Sequence, residues 1–267
     1  MKKAILICTL LLTVLIGVSC AEHTESIDQS ESEEMTETEM TEMTEMTETE
    51  MTEITEKTWV SEFTEHDPAF WRKSSGYSNG APFDCKWSAA NIAFEDGKME
   101  LKLTNDAAGN KLCAEYQTIT TYHYGKYEVR MKAAKNIGIV SSFFVYTGPA
   151  FGTPWDEVDI EFLGKDTTKV QLNYFTNGVG GHEKIIELGF DASEQFHDYA
   201  FEWNEDSINW YVDGQLVHTA TENLPVTPAK IMMNLWNGIG VDGWLGTYDG
   251  ASPITAQYEW MKFTPSE

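Results

Sequence analysis

The chain has 267 residues, 42% of them hydrophobic, with 43 acidic against 18 basic side chains and a formal net charge of −25. That field argues against nucleic acid and anionic membrane surfaces as partners, and no basic run interleaved with aromatics offsets it; a neutral partner such as a polysaccharide is unaffected.

In chain order, Met1-Lys2-Lys3 leads into an apolar run from Ala4 to Val18 that ends among the small residues Gly17 and Ser19. A basic start before a run shorter than the roughly 20 residues that cross a bilayer predicts a secretory signal over residues 1–20. Cys20 directly follows Ser19 and offers a second reading, a bacterial lipoprotein site that would leave the protein anchored by lipid at the cell surface. Residues 21–57 change to Glu, Thr, Ser and Met, with Met-Thr-Glu repeated from Met40 to Glu48 and fourteen acids from Glu22 to Glu56 without a Lys or Arg. Such a segment repels itself and buries nothing, so an extended, disordered spacer is expected. Subtracting those acids together with Lys2 and Lys3 leaves about −13 on the rest. Residues 58–267 are therefore read as one acidic domain, large enough for a sizeable core. Cys85 and Cys113 fall inside it. In an exported protein they would join in a disulfide closing a loop of about 28 residues and contributing about 3–4 kcal/mol; two buried thiols are the other reading.

Within the domain, short segments alternate apolar and polar residues: Lys98 to Leu103, Tyr127 to Lys132, Tyr199 to Trp203 and Ile208 to Val212. Asp96-Gly97 and Asp213-Gly214 stand where tight hairpins need them. No segment holds a helical period, so the fold class expected is all-β, an antiparallel sandwich.

Between these strands lies Glu157-Val158-Asp159-Ile160-Glu161. Side chains of a strand alternate faces, so Glu157, Asp159 and Glu161 share one surface while Val158, Ile160 and Phe162 enter the core. At roughly 3.3 Å per residue the outer Cα atoms lie about 13 Å apart, and each Glu leans about 3.5–4 Å toward the other, leaving about 5–6 Å between carboxyl groups. Retaining glycosidases hold their carboxyl pair about 5–5.5 Å apart and inverting ones about 6.5–9.5 Å, so the spacing favours retention. Asp159 is shorter and would hydrogen-bond one Glu, holding the charge balance of the trio. An exposed acidic face is the plain alternative, and Trp155 on the same face weighs against it. Tyr146, Trp155, Trp236 and Trp244 occur among Gly and Asn, where flat rings can meet the C–H faces of sugars while amides read hydroxyl groups.

From Trp155 to Asp166 the chain resembles bacterial lichenases, the endo-β-1,3-1,4-glucanases of glycoside hydrolase family 16. The similarity continues through Asn136 to Phe144, Tyr174 to Glu183 and Ile231 to Gly238, and covers about Tyr77 to Phe263. The resemblance implies a concanavalin-like jelly roll with a concave groove, Glu157 as nucleophile, Glu161 as general acid/base, Asp159 as their electrostatic partner and a Cys85–Cys113 disulfide. Carried over by position as groove residues are Asn79, Glu115, Phe144, Tyr146, Trp155, Asn173, Asn234, Trp236 and Trp244. The unbroken Glu-x-Asp-x-Glu favours lichenase over laminarinase-like members, which insert a residue before the last Glu. Two positions depart from the pattern: Gln117 stands for an Arg and Phe175 for a Tyr. Catalysis needs no cofactor. A structural calcium is implied at Gly97 and Glu259, the latter standing for an Asp, with Glu62 replacing a Pro. The expected partner is a neutral mixed-linkage β-glucan, acted on by a secreted monomer. A β-glucan-binding lectin and a xyloglucan-active hydrolase or transglycosylase are the competing readings.

Overall fold

The computed structural model describes residues 57–266. The leader, the spacer up to Glu56 and Cys20 lie outside the described residues. Sixteen strands make two layers. The front sheet runs β11 (Lys184–Glu187), β10 (Lys169–Phe175), β9 (Asp156–Leu163), β8 (Ile139–Thr147), β15 (Lys230–Asn237), β6 (Lys111–Thr118) and β2 (Trp71–Lys73). The back sheet runs β4 (Ile92–Glu95), β5 (Lys98–Asn105), β16 (Ile254–Pro265), β7 (Gly125–Lys132), β12 (His197–Trp203), β13 (Ile208–Val212) and β14 (Gln215–Ala220), with β1 (Trp59–Ser61) also on β16. A corner pairing of β5 with β6 joins the layers, and β3 (Lys86–Trp87) lies parallel to β6 while the other pairings are antiparallel. This is the expected antiparallel sandwich of jelly-roll type.

The sequence pattern explains the layers. In β5, β7 and β9 every second residue is apolar and buried, as in Met99-x-Leu101-x-Leu103, Tyr127-x-Val129-x-Met131 and Val158-x-Ile160-x-Phe162. These side chains meet between the sheets; Phe162 packs edge-on against Tyr199 of β12 at 4.9 Å. Asp96-Gly97 closes the β4–β5 hairpin with φ of 51° and 74°, and Asp213-Gly214 closes β13–β14 with 47° and 75°. Positive φ at both central residues matches the right-handed twist of the flanking strands, and Asp followed by Gly tolerates it. Cys85 and Cys113 are joined with Cα atoms 5.8 Å apart, fastening the segment before β3 to β6.

Among the described residues, the one α-helix is a single turn, α1 (Asp242–Leu245), after β15. It carries Trp244.

Candidate active site

Strand register assembles the site in three rungs across the front sheet. The central rung runs Asn173, Asp159, Phe144, Met232, Gln117 and Arg72, from β10 to β2. The next runs Gln171, Glu161, Ser142, Asn234 and Glu115. On the other side Phe175, Glu157 and Tyr146 are paired. Residues two apart on neighbouring strands share a face, so these rungs form one surface. It floors an open groove of about 810 Å³.

The groove collects most of the residues named from sequence. Glu157, Asp159, Glu161, Asn79, Glu115, Phe144, Tyr146, Trp155, Asn234 and Trp236 line it. Two do not. Asn173 is buried beside Asp159, and its Oδ1 has no hydrogen-bond partner. Trp244 lies half-buried with its ring 6.1 Å from Trp236, and its Nε1–H donates to Gln171 Oε1 at 3.0 Å. The sequence did not single out Arg72, Tyr77, Phe83, Ser142 or Met232, which also line it, nor Gln171 next to Glu161. The alternation Gln171-x-Asn173-x-Phe175 was the available signal, but its meaning depends on pairing with β9.

The aromatic walls stand at both ends. Trp155 is 38% exposed and stacks on Phe175 at 4.6 Å and 16°, with Tyr146 and then Phe151 continuing the rim. At the opposite end Phe83 lies 4.2 Å from Trp236. Trp87 Nε1–H donates to Asn79 Oδ1 at 3.1 Å, orienting that amide.

Burial dominates the electrostatics. It raises Glu157 to about 8 and Glu161 to about 7, and pushes Asp159 well above the usual carboxylate range, with repulsion among the acids adding to the shift of Glu157 and Asp159. The three titrate as a unit. Their hydrogen bonds separate the roles. Glu157 receives the Trp155 indole N–H at 2.6 Å and a second hydrogen bond from the Asp159 carboxyl. Two donors stabilise the anion at Glu157, while Asp159, the most deeply buried of the three acids, retains its proton. Glu161 receives one amide, Gln171 Nε2–H at 2.7 Å.

A second acidic centre lies in the floor. Glu115 is buried and raised by that burial, partly offset by hydrogen bonds from Ser74 Oγ at 2.6 Å, Tyr77 OH at 3.4 Å and Gln117 Nε2 at 3.2 Å. Gln117 also donates to Ser74 at 2.8 Å, leaving its Oε1 buried without a partner in the groove lining.

At the implied calcium position the one acid already has a partner, whereas a hard cation takes six to eight oxygens. Glu259 Oε2 accepts from Arg130 Nε at 2.7 Å, so a guanidinium already neutralises the acid. Gly97 forms the β4–β5 turn and Glu62 is exposed. Among the described residues no group of three or more His, Cys, Asp or Glu is gathered for a metal.

Comparison with known proteins follows the same line. A β-glucanase from Paenibacillus macerans is 66% identical over 195 residues, spanning 73% of this chain and 82% of the relative. One from Bacillus subtilis is 61% identical over 203 residues, spanning 76% and 84%. Among solved structures, the Bacillus licheniformis β-glucanase superposes with a TM-score of 0.78 at 57% identity over 79% of this chain and 99% of its own. A laminarinase catalytic domain from Thermotoga maritima reaches 0.67 at 25% identity, over 78% and 97%. The profile of glycosyl hydrolases family 16 matches residues 79–262, and the chain, carrying paired glutamates on the floor of a jelly-roll groove, belongs to that family of glycoside hydrolases.

Proposed function

We propose that the protein is an endo-β-1,3-1,4-glucanase that hydrolyses β-1,4 bonds next to 3-O-substituted glucose, with retention of anomeric configuration. The observation that carries this reading is the pair Glu157 and Glu161 on the floor of a groove with aromatic ends. The 53% identity to a solved β-1,3-1,4-glucanase (lichenase) from a mouse hindgut metagenome, against 25% for the laminarinase, supports mixed linkage over β-1,3 linkage alone.

In the first step ionised Glu157 attacks the anomeric carbon while protonated Glu161 gives its proton to the departing oxygen. Trp155 and Asp159 support the Glu157 charge before attack. Burial raises Glu161 to about 7, which populates both its acid and its base form near neutral pH, while the two hydrogen-bond donors oppose the rise at Glu157. Water then enters, Glu161 takes its proton as base, and the hydroxyl displaces Glu157 from the sugar. Trp155, Tyr146 and Trp236 would stack on glucosyl rings, and Asn79, Asn234 and Glu115 would read their hydroxyls.

Export belongs to the same proposal. The basic start and apolar run of residues 1–20 support it, with a lipid on Cys20 as the anchored form and the acidic stretch as a tether.

The test is hydrolysis of barley β-glucan, laminarin, carboxymethylcellulose and xyloglucan side by side, with products identified. Cleavage confined to barley β-glucan is expected, and Glu157→Gln and Glu161→Gln should each lower turnover by about two to four orders of magnitude while the fold persists. Near-normal turnover by either variant would remove the assignment. Binding without hydrolysis would leave a lectin.

A further inference from the structure

Gln171 and Trp244 form a short relay that ends on Glu161. Gln171 Nε2–H donates to Glu161 Oε2 at 2.7 Å, and its Oε1 accepts from Trp244 Nε1–H at 3.0 Å. An indole nitrogen only donates, so it dictates which end of the amide faces it. A flipped amide would set N–H against N–H on one side and oxygen against carboxylate oxygen on the other. The indole is itself held. Its residue sits in α1, with Trp244 N–H donating to Val241 O at 2.9 Å, Lys165 Nζ bonded to its carbonyl oxygen and its ring beside Trp236.

The consequence for Glu161 is chemical. Oε2 must accept from Gln171, so in the acid form the proton sits on Oε1. We propose that Gln171 and Trp244 are positioning residues for the proposed hydrolysis: Trp244 fixes the Gln171 amide, and the amide holds Glu161 with its transferable proton on the oxygen left free. This rests on Glu161 being the acid/base. As the glycosidic C–O bond breaks and the Glu157 oxygen bonds to the anomeric carbon, that proton passes from Oε1 to the departing oxygen. Glu161 becomes a carboxylate, and the Gln171 N–H meets the charge that appears. When water attacks, its proton returns to Glu161 and the Glu157 ester bond breaks.

Gln171 is the side-chain donor to Glu161 among the described residues. On its own strand Glu161 faces Glu157 and Asp159; the paired position on β8 is Ser142, and Glu183, just before β11, adds repulsion. The charged groups among these are acids. The Gln171 N–H therefore opposes them, and it favours ionised Glu161.

The experiment compares the full chain with Gln171→Leu, Trp244→Phe and the double variant on barley β-glucan, recording kcat and KM across pH, with circular dichroism to check folding. Gln171→Leu should lower kcat about tenfold and move the alkaline limb of its pH profile upward by about one unit. Trp244→Phe keeps an aromatic ring and loses the indole N–H; it should shift the limb the same way by less. The double variant should be no worse than Gln171→Leu, because Trp244 acts through the amide. Trp244→Phe stands as the deciding variant should Gln171→Leu fail to fold. A raised KM with an unmoved alkaline limb in Trp244→Phe, or additive losses in the double variant, would make Trp244 a substrate contact and overturn the relay. A wild-type protein inactive on every glucan would instead overturn the proposed function, and the relay with it.

Discussion

Three carboxyl groups stacked on one strand face carry a cost that shows in stability. Folding raises Glu157 from 4.5 to about 8 and Glu161 from 4.5 to about 7. Between those limits the folded protein binds more protons than the unfolded chain, so stability falls as pH rises through the window, and the cost is absent below it. Glu157→Gln should therefore melt higher than wild type at pH near 8, by a gain of about 2 kcal/mol or roughly 4–8 °C, and match it near pH 4. Thermal scans at the two pH values check this; an equal gain at both would mean that the acid's charge is not what destabilises. The trio was legible in sequence because a period of two needs only neighbours in the chain. Gln171 was not, because its partner lies across β9–β10 and its second bond comes from Trp244, which the sequence offered only as a ring for sugar. Gln117 and Phe175 could be named as departures, but which atoms they leave without partners depends on Ser74, Glu115 and Trp155.

At the scale of elements, the site depends on how β9 begins. Asp156, its first residue, is buried, and its carboxylate accepts from the backbone N–H of Asn177 at 2.8 Å and of Val226 and Thr227 at 2.9 Å. Burial pushes its pKa up, but these donors outweigh it and the net shift is downward from 3.8. One side chain thus fastens two loops, one after β10 and one before β15, to the strand that carries the acids. Its stabilisation is present above 3.8 and lost as pH falls through the folded value. Asp156→Ala should cost about 3 kcal/mol at neutral pH, and the difference from wild type should shrink in acid. Denaturant melts at both pH values test it; a pH-independent loss would assign the role to packing instead. The strands themselves were readable from alternation and from their Asp-Gly turns. Their lateral order was not, since β8, β15 and β6 become neighbours across long stretches of sequence.

For the whole molecule, the proposed leader, followed by an acidic stretch and a hydrolase domain, leads to one measurable statement. Expressed in a bacterial host with the leader intact, the protein should be recovered outside the cytoplasm, and mass spectrometry of its N-terminus should find the residues before Cys20 removed. A lipid-bearing Cys20 would mark the anchored form, and an unmodified start near that position the secreted one. Recovery in the cytoplasm with Met1 retained would end the export reading. The antiparallel sandwich was legible from strand alternation, while the jelly roll and its groove were implied by the family resemblance. The calcium expectation is not confirmed: Glu259, the acid implied for it, is engaged by Arg130.

The indole of Trp210, on β13 of the far layer, donates its N–H across the interior to the carbonyl oxygen of Asp159 at 3.1 Å. The reacting strand is thus moored to the rear of the sandwich at its midpoint. Remodelling β13 at Trp210 would remove that mooring from the strand that carries the three acids. Engineers seeking a neutral place to graft a new loop should look elsewhere.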